Sequence, residues 1–372
     1  MKPRARDLHI RIGQLQPGPL NAITDVPGVR VGHSNVRGHS ASGRDVCTGV
    51  TLIEPRAVST NAKPCFAGVH VLNGNGDATG LEWIREAGLL TSPIAFTNTH
   101  SLGVVRDALI ELDREQQPDD SRLYWNMPVV LETFDGLLND INGFHVKPKH
   151  VVEALNNAVD GPVQEGAVGG GSGMICHEFK GGIGTASRRL SKAQGGWTVG
   201  AIVQANHGIR RELRVDGYPV GRYMEQVDSP FLRASLPHPG MGSIVVCLAT
   251  DAPLLPHQCT RLAQRASLGL ARTGGGNEDH SGDIFIAFAT GNEQIPPAAY
   301  EGKGAPTCDG LRMVNNDHIS ELFLAATEAV EEAIINALLA SDSTEGNGHA
   351  VQGLDAATLL AALEKAGWPG AR

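Results

Sequence analysis

A serine stands where a loop rich in proline and glycine turns into an apolar strand, His238-Pro-Gly-Met-Gly242-Ser243-Ile-Val-Val. Glycine before the serine strips side-chain bulk from the Gly242 carbonyl and permits a strained backbone there. If the Gly242–Ser243 peptide bond breaks, Ser243 carries a free α-amine beside its own hydroxyl. Such an amine titrates near about 8, close enough to neutrality to act as general base for that hydroxyl. A second group precedes the next apolar strand, His280-Ser281-Gly282-Asp283. Ser281 and Asp283 lie two apart, so an extended strand start points both to one side. There a hydroxyl and a carboxylate could relay or hold a proton. Residue types alone leave both places open: each is also an ordinary turn with a solvated polar side chain.

Other chemistries find less support. No G-x-S-x-G elbow occurs, and no His or Asp stands out as a triad partner. The glycine-dense tracts 166–173 and 179–186 fit neither phosphate-loop pattern, because Lys180 is followed by glycine. They read as strands around tight turns. Among the 14 histidines, His177-Glu178 lacks a second histidine at helical spacing and no other cluster has ligand spacing, so neither metal nor cofactor is expected. The 6 cysteines form no C-x-x-C pair and read as buried reduced thiols. A net charge of −9 with no basic stripe speaks against a nucleic-acid partner. No run of eighteen apolar residues exists to span a membrane, and no apolar stretch follows the basic start, so the expected compartment is the cytosol.

The elements that must position these groups alternate. Strands are predicted at 28–36, 49–53, 68–71, 128–132, 197–204, 243–250 and 283–290, where Val- and Ile-rich runs are bounded by turn residues. Helices are predicted at 79–86, 102–112, 151–158 and 256–272. A long amphipathic helix capped by Asp317 should present Ile319, Leu322, Phe323, Ala326, Val330, Ile334 and Leu338 on one face. A last helix at 355–366 should stop at Gly367. Residues 210–235 are polar and irregular and read as a surface loop. Strands in both halves with helices between them imply a layered α/β architecture, and no linker marks a domain boundary.

With these residues in place, the sequence resembles the L-aminopeptidase D-Ala-esterase/amidase family, which includes the β-peptidyl aminopeptidases. The resemblance runs through the segment from Asn21 to His33, the segment from Glu132 to Gly143, and Gly173 to Gly184. It continues through Val199 to Asn206, Gly242-Ser243 to Leu254, and Ser281-Gly-Asp283. It implies an αββα four-layer sandwich like that of N-terminal-nucleophile hydrolases, one domain cleaved by itself into 1–242 and 243–372. It also implies a tetramer of these paired chains. The implied substrates are short peptides or amino acid amides and esters, from which an N-terminal L-, D-Ala or β-amino acid residue is released.

Position by position, the resemblance implies Ser243 as nucleophile and Asn206 as the amide that holds the oxyanion, a donor that does not titrate. Ser281 and Asp283 match the supporting hydroxyl and acid, the acid being Glu in some members. Glu132 matches the carboxylate that pairs with the substrate's amino group, which would restrict cleavage to N-terminal residues. Phe134 stands where some members carry tyrosine, and without a hydroxyl it can contribute only packing against the substrate. Two rival readings are an ornithine acetyltransferase-like acyl transferase, whose nucleophile is threonine, and a non-catalytic or unprocessed relative.

Overall fold

The apolar run after Ser243 folds as a strand, Ile244–Thr250, in which every residue is buried. A strand with two buried faces needs a layer on each side. The computed structural model describes residues 2–116, 124–231, 242–297 and 308–370. Its first elements are β1 (Arg30–His39), β2 (Asp45–Glu54), β3 (Cys65–Gly74), α1 (Leu81–Ala87), β4 (Leu89–Leu90) and β5 (Ile94–Asn98). Next come α2 (Leu102–Glu115), β6 (Val129–Thr133), α3 (Pro148–Asn156), β7 (Ile175–Cys176) and β8 (Phe179–Lys180). β9 (Gly182–Arg189) and β10 (Thr198–Ala205) precede β11 (Ile244–Thr250), α4 (Pro256–Gln264), α5 (Ala266–Arg272) and β12 (Gly282–Ala289). Last are α6 (Ser320–Ala340), the hairpin β13 (Thr344–Gly346) and β14 (His349–Val351), and α7 (Ala356–Lys365).

Two sheets face each other. One is 4-stranded, ordered β1-β2-β5-β6, and the other 6-stranded, ordered β4-β3-β12-β11-β10-β9. The strand period of two assigns each side chain to a layer. Val245, Cys247 and Ala249 of β11 and Ile284, Ile286 and Phe288 of β12 meet Ile94, Phe96, Val129 and Leu131 between the sheets. Their neighbours Val246, Leu248, Phe285 and Ala287 turn outward onto Leu262, Ala263, Val330 and Ile334 of α4 and α6. On the far side Leu52, Ala95 and Val130 pack against Val105 and Leu109 of α2 and Val151 of α3. The result is the expected αββα sandwich. β11 runs parallel to β12, with α4 and α5 as the crossover, and antiparallel to β10. Chain on both sides of Gly242–Ser243 therefore contributes to the same sheet.

Several expectations need correction. The helix at 256–272 breaks at Arg265 into α4 and α5. Asp317 does not cap the long helix; it lies in a short 3₁₀ turn whose own cap is Asn315, and α6 begins at Ser320. Nor is α6 buried on one face alone. Its polar residues Glu328, Glu331, Glu332 and Asn336 are buried too, and Arg188 of β9 reaches Glu328 at 3.0 Å and Glu332 at 2.7 Å. A Cβ at Gly184 would stand 1.9 Å from the Ala333 carbonyl oxygen, so this glycine lets α6 lie directly on β9.

Part of 210–235 is not a surface loop, because Leu213, Val215, Val220 and Met224 are buried in the outer core. α7 starts, as expected, with the Asp355 side chain accepting the Thr358 N–H at 2.9 Å, and Gly367 follows it at φ +89°. Cys308 is exposed, unlike the other free thiols. Among the described residues no helix is long and apolar enough to cross a membrane.

Candidate active site

β10, β11 and β12 lie side by side, so the end of β10 and the starts of β11 and β12 fall at one edge of the sheet. Asn206 follows β10, Ser243 precedes β11, and Ser281 precedes β12. Ser243 is 5% exposed. Its hydroxyl oxygen accepts the Gly282 N–H at 2.9 Å, and its carbonyl accepts the Asn206 N–H at 3.1 Å. The nucleophile candidate is thus held from both neighbouring strands.

Gly242 is required by space rather than by a left-handed backbone. A Cβ there would stand 1.6 Å from the Asn206 carbonyl oxygen and 3.1 Å from Asn206 Nδ2. That close approach brings the Asn206 amide beside the peptide bond expected to break. Residues 238–241 of the motif lie outside the described residues. The amide is fixed at both ends: its Oδ1 accepts the Ile175 N–H at 2.7 Å, and its Nδ2 donates to the Phe134 carbonyl at 2.8 Å. A primary amide has two N–H bonds, so one remains for an oxyanion.

Ser281 and Asp283 point to the same side, and the Ser281 hydroxyl donates to Asp283 Oδ1 at 2.6 Å. Burial pushes the Asp283 carboxyl up to about 6, against the opposing pull of the Ser281 hydroxyl and the Ile244 backbone. Oδ2 of Asp283 has no hydrogen-bond partner among the described residues. Neither side chain is a described partner of the Ser243 hydroxyl. What reaches it is the backbone N–H of the glycine between them. Sequence reading passed over Gly282, since a peptide N–H leaves no mark in residue type.

Glu132 is the penultimate residue of β6 and is buried. Oε1 accepts the Asp77 N–H at 2.8 Å and Oε2 accepts the Thr99 hydroxyl. Burial raises its carboxyl above the usual range, and these two donors oppose that rise. A Cβ at Gly76 would be 3.2 Å from Glu132 Oε1 and 3.2 Å from the Gly282 Cα, so this glycine lies against both the carboxylate and the Ser243 support. Phe134 is 43% exposed; its carbonyl binds Asn206 while its ring lies over Gly136. Asp77, Thr99, Ile175 and Gly76 escaped sequence reading because each acts through backbone or a common hydroxyl. The fold also gathers Cys176, His177 and His207, whose separation along the chain gave no ligand spacing.

The arrangement offers a serine hydroxyl at a strand start, beside it an amide with one N–H unpartnered among the described residues, a hydroxyl–carboxyl pair, and a second carboxylate close to Gly76. The profile of peptidase family S58 matches residues 21–351. The chain is 44% identical over 376 residues to the β-peptidyl aminopeptidase BapA of Sphingosinicella microcystinivorans, covering 98% of this chain and 92% of that one. Among solved structures, a Burkholderia sp. β-aminopeptidase superposes with a TM-score of 0.93 at 65% identity, covering 98% of this chain and 99% of that one. The L-aminopeptidase D-Ala-esterase/amidase from Ochrobactrum anthropi, described as a serine aminopeptidase with a variant of the Ntn hydrolase fold, gives a TM-score of 0.88 at 44% identity. It covers 98% of this chain and 99% of that one.

Proposed function

The chain belongs to peptidase family S58 and is a serine aminopeptidase of the Ntn hydrolase fold, and from that premise we propose that Ser243 first cleaves its own chain and then serves as the nucleophile. The observation that carries this reading is the position of Ser243. It opens a buried strand, with its hydroxyl on the Gly282 N–H and the preceding glycine pressed against Asn206.

In the first stage the Ser243 hydroxyl oxygen adds to the Gly242 carbonyl carbon. The C–N bond breaks, the nitrogen keeps the proton released by the hydroxyl, and an ester joins the two segments. Water hydrolyses that ester, leaving the Gly242 carboxylate and the Ser243 α-amine. In the second stage this amine takes the hydroxyl proton as the oxygen attacks the carbonyl of a substrate's first residue. The free N–H of Asn206 meets the oxyanion. The proton passes to the departing amine, and water then frees the amino acid from the ester. Ser281 and Asp283 support proton movement beside the nucleophile.

Glu132 receives the substrate's ammonium group, which internal peptide bonds lack. The names of the relatives support N-terminal β-amino acyl residues, and L- or D-amino acid amides and esters, as substrates. The exposed Phe134 ring bears on preference among them. Free cysteines in the described chain support a cytosolic setting, and the family resemblance supports a tetramer of cleaved pairs.

The test is an intact-mass spectrum of the denatured protein. Two species corresponding to 1–242 and 243–372 are expected, whereas Ser243→Ala should give one intact chain and lose activity by about a thousandfold or more. A processed Ser243→Ala protein would overturn the scheme.

A further inference from the structure

β7 and β8 form a hairpin turned by His177 and Glu178, both left-handed, at φ 47° and 62°. Such a turn favours Asn or Gly, so side chains here are kept against backbone preference. The hairpin docks on the end of β10, where the His177 N–H donates to the His207 carbonyl at 2.7 Å. Docking brings together Cys176 and His207, 31 residues apart in sequence. One potential ligand atom from each of Cys176, His177 and His207 lies within 4.8 Å of the others, and all three residues are buried. Cys176 Sγ is 3.8 Å from His207 Nδ1.

The histidines carry a further sign. His177 Nδ1 lies 3.0 Å from the Ile209 carbonyl, which must accept a proton from it. That contact fixes the tautomer and turns Nε2 into a bare lone pair, the usual outer-shell arrangement of a metal-bound histidine. Nε2 of His177 is buried with no partner among the described residues, and on His207 it is Nδ1 that faces Cys176 Sγ. Gly208 makes room for the His177 ring, since a Cβ there would be 2.4 Å from Cε1.

We propose that Cys176, His177 and His207 bind a divalent transition-metal cation of the zinc type, the Cys176 thiol releasing its proton to solvent as the metal–sulfur bond forms. Thiolate and imidazole suit a borderline cation. Tetrahedral sites place such ligand atoms roughly 3.5 Å apart, so binding shortens the present separations, which reach up to 4.8 Å, by at most about 1.3 Å. The ion would rivet the hairpin to the end of β10. That hairpin supplies the Ile175 N–H that holds Asn206, and His207 is the next residue in the chain. The site is therefore a positioning device beneath the oxyanion donor, and it stands independently of the self-cleavage reading.

Cobalt(II) is the probe. Full-length protein loaded with cobalt and freed of excess should retain one ion per chain. It should also show a thiolate-to-cobalt charge-transfer band and a raised thermal midpoint that a chelator reverses. Cys176→Ser should lose the band, and His207→Gln should lose retention, with circular dichroism as the fold control. X-ray absorption on the wild-type protein, which needs no variant, should show one sulfur and two nitrogen ligands. The proposal fails if wild-type protein shows no sulfur ligand to cobalt, or if the band survives in Cys176→Ser.

Discussion

The Ser243 hydroxyl accepts from a backbone N–H, and the carboxyl groups near it are buried, so the chemistry here is tuned by desolvation more than by contact with charge. Glu132 holds two donors but no described cation. A substrate ammonium would supply the missing positive partner. Glu132→Gln keeps the shape and removes the charge, and its KM should rise on the order of a hundredfold while self-cleavage continues. Steady-state kinetics on an amino acid amide, beside an intact-mass spectrum, checks this.

Asp283 has its folded pKa raised from 3.8 to about 6 by burial. The folded chain therefore holds this proton to higher pH than the unfolded chain does. Its stabilising contribution is complete below about 4 and is lost as pH rises through about 6. Ser243→Ala should keep the chain uncut and so without the proposed α-amine, and in that background Asp283→Asn should flatten this part of the stability profile. Urea titrations between those pH values would read the difference.

At the scale of elements, the sheet carries the site and α6 holds the sheet. Arg188 on β9 is buried and bonds both Glu328 and Glu332, while Arg6 adds a contact to Glu332 at 3.0 Å. Replacing Arg188 with Met leaves two buried carboxylates short of their main partner. A loss of about 3–5 kcal/mol is expected in denaturant unfolding. The β7–β8 hairpin is pinned in a similar way. The buried Lys180 ammonium donates to the carbonyls of Gly171, Met174 and Gly181, and Met174 precedes the residue that orients Asn206.

Across the whole molecule, β10 and β11 pair from Val199↔Thr250 to Ala205↔Ile244, and their side chains enter both inner and outer cores. A cut before Ser243 would leave this ladder intact. The two fragments expected under denaturing conditions should therefore elute together in native buffer. Separate elution without denaturant would contradict that expectation.

Much of this was legible in the chain itself. Apolar runs at 243–250 and 283–290 mark strands buried on both faces, because a layered sheet demands continuous hydrophobicity. Ser281 and Asp283 meet because strand geometry puts alternate residues on one side, a purely local rule. Ser243 stood out by its place between a glycine turn and a core strand. Tertiary structure alone decided the rest. Nothing local tells that Gly242 must pass Asn206 without a Cβ, or that the Gly282 N–H meets Ser243. Burial of Leu213 and Val215 in an irregular stretch, the pairing of Arg188 with α6, and the meeting of Cys176, His177 and His207 were equally hidden. Each depends on contacts between segments far apart in sequence, and periodicity reports only which side of an element is apolar. Which distant groups share that side is settled by the packing of layers.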